Sequence, residues 1–361
     1  MKESKGNYFK DVDGNVVLDL NCPLALGYNA DAIINARDSP AYDRFTQGQT
    51  DVSTVPPSDF GDILRDEVMP VAPKGLTQIH LSDGSSTTAN EVAISTAIMG
   101  FAMKHKKENY SSLSVMGFQG ASHGQSVATL SISDDGANYA SLPTYDWPTC
   151  PLPQLKYPLA MNEKSNIQEE DRCLDAARKT IQQRRADGRD VAAIVIEPVS
   201  SFGTQLATPR FYKELRSLAS DEGIPFIVDE TKSGMGQTGK MWAHEHWWLQ
   251  DRDGGAPDMV TFGGKAGISG FFSQYDQRLN PHCASFEQQV SMADVLNFGL
   301  TWKDAQANNL FELVNDSSTF LKIELNRVAN TTGTIDNIRG MGTYIGFDVN
   351  GDRADSMIRW L

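Results

Sequence analysis

Residues 191–230 read VAAIVIEPVSSFGTQLATPRFYKELRSLASDEGIPFIVDE, and this segment carries the plan of the fold. The run Ala192-Ala193-Ile194-Val195-Ile196 has no polar alternation, as expected of a strand buried on both faces of a sheet. Phe211, Leu215 and Leu218 recur at helical spacing, Gly223 supplies the stop, and Pro225-Phe226-Ile227-Val228 begins a second strand. A strand, a helix and a strand in that order join neighbouring parallel strands by a crossover. The alternation extends upstream. Thr77–Leu81 and Leu113–Phe118 read as strands, separated by a helix that carries Ile94, Ile98 and Phe101 on one face. Leu174, Ala177 and Ile181 mark a helix ending near Gly188, and downstream Met259-Val260-Thr261-Phe262 is a further strand. The expected class is α/β, a mainly parallel sheet with helices on both faces. After Phe272 the pattern changes to a loop-rich stretch, a helix with Leu310, Leu313, Val314, Leu321 and Leu325, and a strand over Gly342–Val349, which together predict a smaller α+β domain.

A chain of 361 residues suits two domains at about 150 residues each. With 40% apolar and 22% charged residues the composition is that of a globular protein, neither fibrous nor disordered. A net charge of −14 without a basic patch argues against a nucleic-acid partner. The longest apolar run, at Ala192–Ile196, is far short of a membrane span, and Met1-Lys2-Glu3-Ser4-Lys5-Gly6 has no signal-peptide core, so a cytoplasmic protein is expected. Cys22, Cys150, Cys173 and Cys283 are far apart and are read as reduced thiols. His244 and His246, spaced i, i+2 without a third ligand nearby, are given a structural or surface role, and no metal is assigned.

In a parallel sheet the ligand crevice lies beyond the carboxyl ends of the strands. Five post-strand segments there hold polar or reactive residues: Gly84-Ser85-Ser86-Thr87-Thr88, Gly120-Ala121-Ser122-His123-Gly124, Glu197-Pro198, Asp229-Glu230 and Gly263-Gly264-Lys265. The first offers a helix start to an anion such as phosphate, although such turns also serve as plain caps. Asp229 is either a satisfied core acid or the partner of a cation. Lys265, flanked by Gly263, Gly264, Ala266 and Gly267, is either a surface lysine or a nucleophile for carbonyl groups. A phosphate anchor, a nucleophilic lysine and a carboxylate in one crevice meet the needs of pyridoxal phosphate chemistry.

With these residues the chain resembles the class III (ω) aminotransferases, and within them the 4-aminobutyrate aminotransferase branch. The resemblance runs from Glu3-Ser4-Lys5-Gly6-Asn7-Tyr8 through Val71-Ala72-Pro73-Lys74-Gly75, Tyr145-Asp146-Trp147-Pro148, Glu197-Pro198, Val228-Asp229-Glu230 and Thr238-Gly239-Lys240 to Arg339-Gly340. It implies the fold type I of pyridoxal phosphate enzymes and a homodimer. Residues 1–55 would be the N-terminal segment of the small domain, 56–275 the large cofactor-binding domain and 276–361 the C-terminal small domain. By resemblance, Lys265 forms the internal aldimine, Asp229 pairs with the pyridinium nitrogen, Gly84, Ser85, Ser86 and Thr87 hold the phosphate, and Thr301 reaches the phosphate in the neighbouring subunit. The implied reaction moves an amino group from an amine or amino acid to a keto or aldehyde acceptor. Decarboxylation, racemisation or C–C bond formation on the same cofactor, or a non-catalytic relative, are the alternatives.

Several positions depart from the family pattern. The aromatic residue expected to stack on the cofactor ring is Ser122, before His123, and the arginine expected to bind a substrate carboxylate is Gln125. An expected glutamate and arginine are Phe202 and Met341, a joint exchange of an ion pair for an apolar pair that points to a changed substrate. Lys232 replaces a glutamine near the cofactor's phenolic oxygen, where it either pairs with that oxygen, receives a substrate acid or points to solvent. Asp83 and Ser86 stand about where animal members carry cysteines, so no iron–sulfur cluster is expected. The chain also starts after, and at Trp360-Leu361 stops before, segments present in the family, from which a more open site is expected.

Overall fold

A computed structural model describes residues 4–22, 25–36, 56–82, 84–134, 142–249, 254–277 and 290–349. Asp83, Cys283, Trp360 and Leu361 lie outside the described residues. A short antiparallel hairpin of β1 (Tyr8–Lys10) and β2 (Val16–Leu18) is followed by α1 (Asp31–Ala36) and α2 (Phe60–Glu67). The large sheet is built from β3 (Gln78–Ser82), β4 (Ser114–Phe118), β5 (Thr149–Cys150), β6 (Val191–Ile196), β7 (Phe226–Asp229), β8 (Met259–Phe262) and β9 (Ser269–Ser273). Its order is β3-β9-β8-β7-β6-β4-β5, parallel from β8 through β5, with β9 antiparallel to both of its neighbours. The helices are α3 (Ser86–Lys104), α4 (Val127–Leu130), α5 (Glu163–Ala186), α6 (Pro209–Glu222), α7 (Met292–Ala307) and α8 (Leu310–Thr332).

The continuous apolar strands are explained by cover on both faces. Side chains alternate across a strand, so Val115, Ala193, Val195, Ile227 and Met259 pack with Val92, Ala93, Ile94 and Ala97 of α3. Met116, Ala192, Ile194, Ile196, Phe226 and Val228 belong to the opposite core, with Cys173, Leu174, Ala177 and Ile181 of α5 and Phe211 and Leu215 of α6. Gly223 ends α6 in the left-handed conformation, φ +68, with its N–H on the Ala219 and Ser220 carbonyls. No helix among the described residues is long and apolar enough to cross a membrane.

Three expectations need correction. Strand β9 escaped the sequence reading, and α7 occupies much of the stretch read as loop-rich. The single strand over Gly342–Val349 is instead the second arm of a hairpin, β10 (Ile335–Met341) and β11 (Tyr344–Val349), with Gly342 at φ +56 in the turn. The core itself has little slack. A Cβ on Gly117 of β4 would stand 2.7 Å from the Ile132 carbonyl oxygen and 2.8 Å from its Cβ. Gly117→Val should therefore destabilise the fold by about 1–3 kcal/mol, read as a lower urea midpoint, and an unchanged midpoint would refute this packing.

Candidate active site

Because β3, β4, β6, β7 and β8 run the same way, the segments following them meet at one edge of the sheet. Asp229, the last residue of β7, is 2% exposed and tightly held. Its Oδ2 accepts from His123 Nδ1 at 2.7 Å and Asn90 Nδ2 at 2.8 Å, and its Oδ1 from the Thr231 N–H at 2.9 Å and the Thr231 hydroxyl at 2.6 Å. Thr261 on β8 donates to Asn90 Oδ1 at 2.6 Å, which orients that amide. Burial alone would raise the Asp229 pKa, but the hydrogen bond and charge of His123, the Thr231 hydroxyl and the nearby Lys232 ammonium outweigh it and hold the carboxyl below its usual value. Since a carboxylate only accepts, His123 carries its proton on Nδ1 towards Asp229, and its buried Nε2 has no partner among the described residues.

Lys265 lies in a single helical turn, Gly264–Ala266, directly after β8. Glycines let this loop approach the others. A Cβ on Gly263 would be 2.4 Å from Ser86 Oγ, and one on Gly124 (φ +132) 2.5 Å from Thr87 Oγ1. The Lys265 amine has no hydrogen-bond or ion-pair partner among the described residues. It lines a cavity of about 450 Å³ with Leu26, Ile33, Asp294, Asn297 and Thr301. At the start of α3, Ser85 is the N-cap, its hydroxyl accepting from Thr88 N at 3.4 Å, which leaves Ser86 and Thr87 in the first turn. Gly84, at φ +85, faces open space, because a Cβ there would meet nothing within 4 Å. Thr301 sits inside α7 with its hydroxyl on the Asn297 carbonyl at 2.7 Å, and it lines the cavity of the same chain's Lys265.

The departing positions cluster on the neighbouring loops. Ser122 is partly exposed, and Gln125 is exposed with its N–H on Thr87 Oγ1 at 3.4 Å. Phe202 is 43% exposed, with its N–H on the Gly120 carbonyl. Met341 ends β10 opposite Tyr344, and Arg339 of the same strand donates to the Gly203 carbonyl from Nε at 2.9 Å and Nη2 at 2.7 Å, which draws the Phe202 loop and the hairpin together. Lys232, expected from the sequence to meet the cofactor, a substrate acid or solvent, has its three donors on protein atoms: the Ser122 carbonyl, Ser201 Oγ at 2.6 Å and Glu197 Oε1 at 3.2 Å.

Asn90, Thr231 and Thr261 escaped the sequence reading as site residues, while that reading places Glu197 in the crevice without a role. Asn90 alone left a signal, a polar residue on the helix face otherwise formed by Ala89, Val92 and Ala93. His244 proves structural, its N–H and Nδ1 both donating to the buried Glu230 carboxylate at 2.7 and 2.8 Å. His123, Glu197 and Asp229 bring potential ligand atoms within 4.8 Å of one another. The lone pairs of both carboxylates are already occupied by protein donors, so the trio is a hydrogen-bonded network more than a cation cage.

The donor set suits pyridoxal phosphate. It offers an unpartnered lysine amine, a carboxylate kept ionised, and a helix start that opens onto free space at Gly84. Of the donors on Asp229, the Thr231 hydroxyl at 2.6 Å and the Thr261 hydroxyl at 3.4 Å, both on Oδ1, can rotate away and admit a protonated ring nitrogen. A seven-stranded mixed sheet with these groups at its carboxyl edge defines a fold type I pyridoxal phosphate enzyme. Residues 1–359 match the family model described as aminotransferase class-III. A 4-aminobutyrate aminotransferase from Dictyostelium discoideum is 34% identical over 99% of this chain and 76% of its own length, and the human mitochondrial 4-aminobutyrate aminotransferase is 32% identical over 97% and 74%. The solved lysine aminotransferase from M. tuberculosis, in the internal aldimine form, superposes with a TM-score of 0.84 at 23% identity, covering 99% of this chain and 84% of that one, a likeness of fold. The chain belongs to the class III aminotransferase family and is a pyridoxal-phosphate-dependent aminotransferase.

Proposed function

We propose that Lys265 carries the amino-group exchange, with Asp229 as partner of the cofactor's ring nitrogen, and that the amino donor has no distal carboxylate. The observation that carries this reading is the unpartnered Lys265 amine in its cavity, on the same sheet edge as a carboxylate held ionised. Bound pyridoxal phosphate supplies a carbonyl carbon and an electron sink. Lys265 Nζ would hold the cofactor through that carbon and, when free of it, would be the group that moves a proton in the exchange. Asp229 would keep the ring nitrogen protonated, and His123 holds Asp229 in place. The amides of Ser85, Ser86 and Thr87, at the positive end of α3, would bind the phosphate, while Gly84, whose N–H is on the Ser82 carbonyl, supplies clearance. Ser122 leaves one ring face without an apolar cover.

The proposal extends to a cytoplasmic homodimer in which Thr301, here lining the cavity of its own chain's Lys265, would have to give up its bond to the Asn297 carbonyl to reach the phosphate bound in the other subunit. The buried unpaired thiols of Cys22, Cys150 and Cys173 suit a reducing compartment. Residues 56–275 would form the cofactor-binding domain, and 1–55 with 276–361 the small domain.

The substrate class follows from Gln125, Phe202 and Met341, which present an amide and two apolar side chains where the family resemblance expects charges. A charge-assisted hydrogen bond is worth about 1.5–3 kcal/mol. Simple or bulky apolar amines should therefore exceed ω-amino acids in kcat/KM by about tenfold or more, with a keto acid or aldehyde as acceptor. A panel of amines assayed with one acceptor tests this, and a preference for the distal acid would refute the substrate assignment.

A further inference from the structure

We propose that Lys232 is a positioning residue which, with Glu197, fixes the Ser122-His123 turn and thereby the orientation of Asp229. Glu197 is 4% exposed, and its carboxylate accepts from four donors: the Ser122 N–H at 3.3 Å, the Ser201 N–H at 2.9 Å, the Ser201 hydroxyl at 2.6 Å and Lys232 Nζ at 3.2 Å. Lys232 also donates to the Ser122 carbonyl, so one ion pair grips both the N–H and the C=O of residue 122. The next residue, His123, carries the constraint onward. Its N–H is on Ser133 Oγ at 2.8 Å, its carbonyl accepts from Asn90 Nδ2 at 2.8 Å, and its ring is on Asp229. The grip joins the loops that follow β4, β6 and β7.

The substitution at 122 explains why a grip is needed. A serine has no large side chain to pack, and a lysine reaches farther than the glutamine expected at 232, so Lys232 gives the turn a hold on its backbone. The Lys232 backbone is anchored too, its carbonyl accepting from the Tyr344 hydroxyl at 2.5 Å and from Gln237 Nε2, so the β10–β11 hairpin bears on the same point. Burial raises the Glu197 pKa, while the His123 and Lys232 charges oppose that rise. Without Lys232 that opposition weakens and the Ser122 carbonyl loses its donor, which frees the turn.

The functional consequence rests on Asp229 being the cofactor's partner, so the test has one arm that needs no cofactor. In the full-length apoprotein, the ring nitrogen resonances of His123 are compared between wild type, Lys232→Met and Lys232→Arg. Lys232→Met should shift them and Lys232→Arg should largely restore them. In the cofactor-loaded protein, Lys232→Met should raise the dissociation constant for pyridoxal phosphate by about tenfold, the scale of losing a supporting hydrogen-bond partner. It should also move the pH at which the visible cofactor band titrates, again with rescue by arginine. The double variant Lys232→Met/Glu197→Gln should recover thermal stability, since no buried charge is left unpaired, but not the wild-type titration. His123 resonances unchanged in Lys232→Met would overturn the proposal. So would a fall in melting temperature with no change in cofactor affinity or titration, which would make Lys232 merely structural. If wild type forms no cofactor band, the reading of the site as a cofactor site built on Lys265 and Asp229 has failed, while the His123 shift still decides the grip.

Discussion

Lys265→Ala is expected to lower transamination by about 10⁴-fold, the upper range for removal of an acid–base group, and to abolish the visible band of lysine-bound cofactor. The fold should be unaffected. Lys265 is partly exposed, follows β8 in one short turn and has no polar partner among the described residues, so its truncation leaves no buried group unsatisfied. Such substitutions usually change stability by no more than about 0.5 kcal/mol. Loss of turnover with an unchanged urea midpoint is the expected pattern. Retained turnover would remove Lys265 from the chemistry.

Asp229→Ala is expected to harm both activity and stability. His123, Asn90 and Thr231 would lose a shared acceptor in a buried site. Leaving a buried hydrogen-bond donor without its acceptor costs about 1–3 kcal/mol. Turnover should fall by about 10²–10³-fold, as when a pre-aligned electrostatic partner is removed. The pH dependence separates the two effects. The folded Asp229 carboxyl lies below its ordinary 3.8, so on acidification the unfolded chain takes up the proton first. Its stabilisation is complete above that ordinary value and is lost as the pH falls through the folded value. Asp229→Asn should flatten this acid limb in urea unfolding. Glu197 acts in the opposite sense, because its pKa is raised and stability falls as the pH climbs from 4.5 through the folded value. An acid limb unchanged in Asp229→Asn would show that the Asp229 network does not stabilise the fold.

The sheet could be read from sequence because β6, β7 and β8 are buried on both faces and appear as plain apolar runs, with Gly223 marking a helix end. Strand β9 could not, since its five residues Ser-Gly-Phe-Phe-Ser have no distinctive period and its direction depends on where it inserts between β3 and β8. Helix α7 was hidden by Asn297, Gly299 and Thr301, poor helix formers held in place by tertiary packing. At the site, Asp229 and Lys265 stand out because one ends β7 and the other comes just after β8, where a crevice is expected. The contacts that tune them were not readable. Asn90 meets Asp229 across 139 positions and Lys232 meets Glu197 across 35, pairings that only the assembled sheet creates. The same assembly engages Lys232 with protein atoms and leaves Lys265 as the lysine with an unpartnered amine in the cavity beyond β8.

The most direct test of the amino-group exchange is a single half-reaction, in which cofactor-loaded protein is mixed with an amine lacking a distal carboxylate in the absence of acceptor. The visible band should bleach, with one equivalent of aminated cofactor and one of carbonyl product formed per Lys265, and Lys265→Ala should yield neither. Amine consumed while the cofactor keeps its aldehyde form, or a band that persists across the whole amine panel, would contradict the assignment.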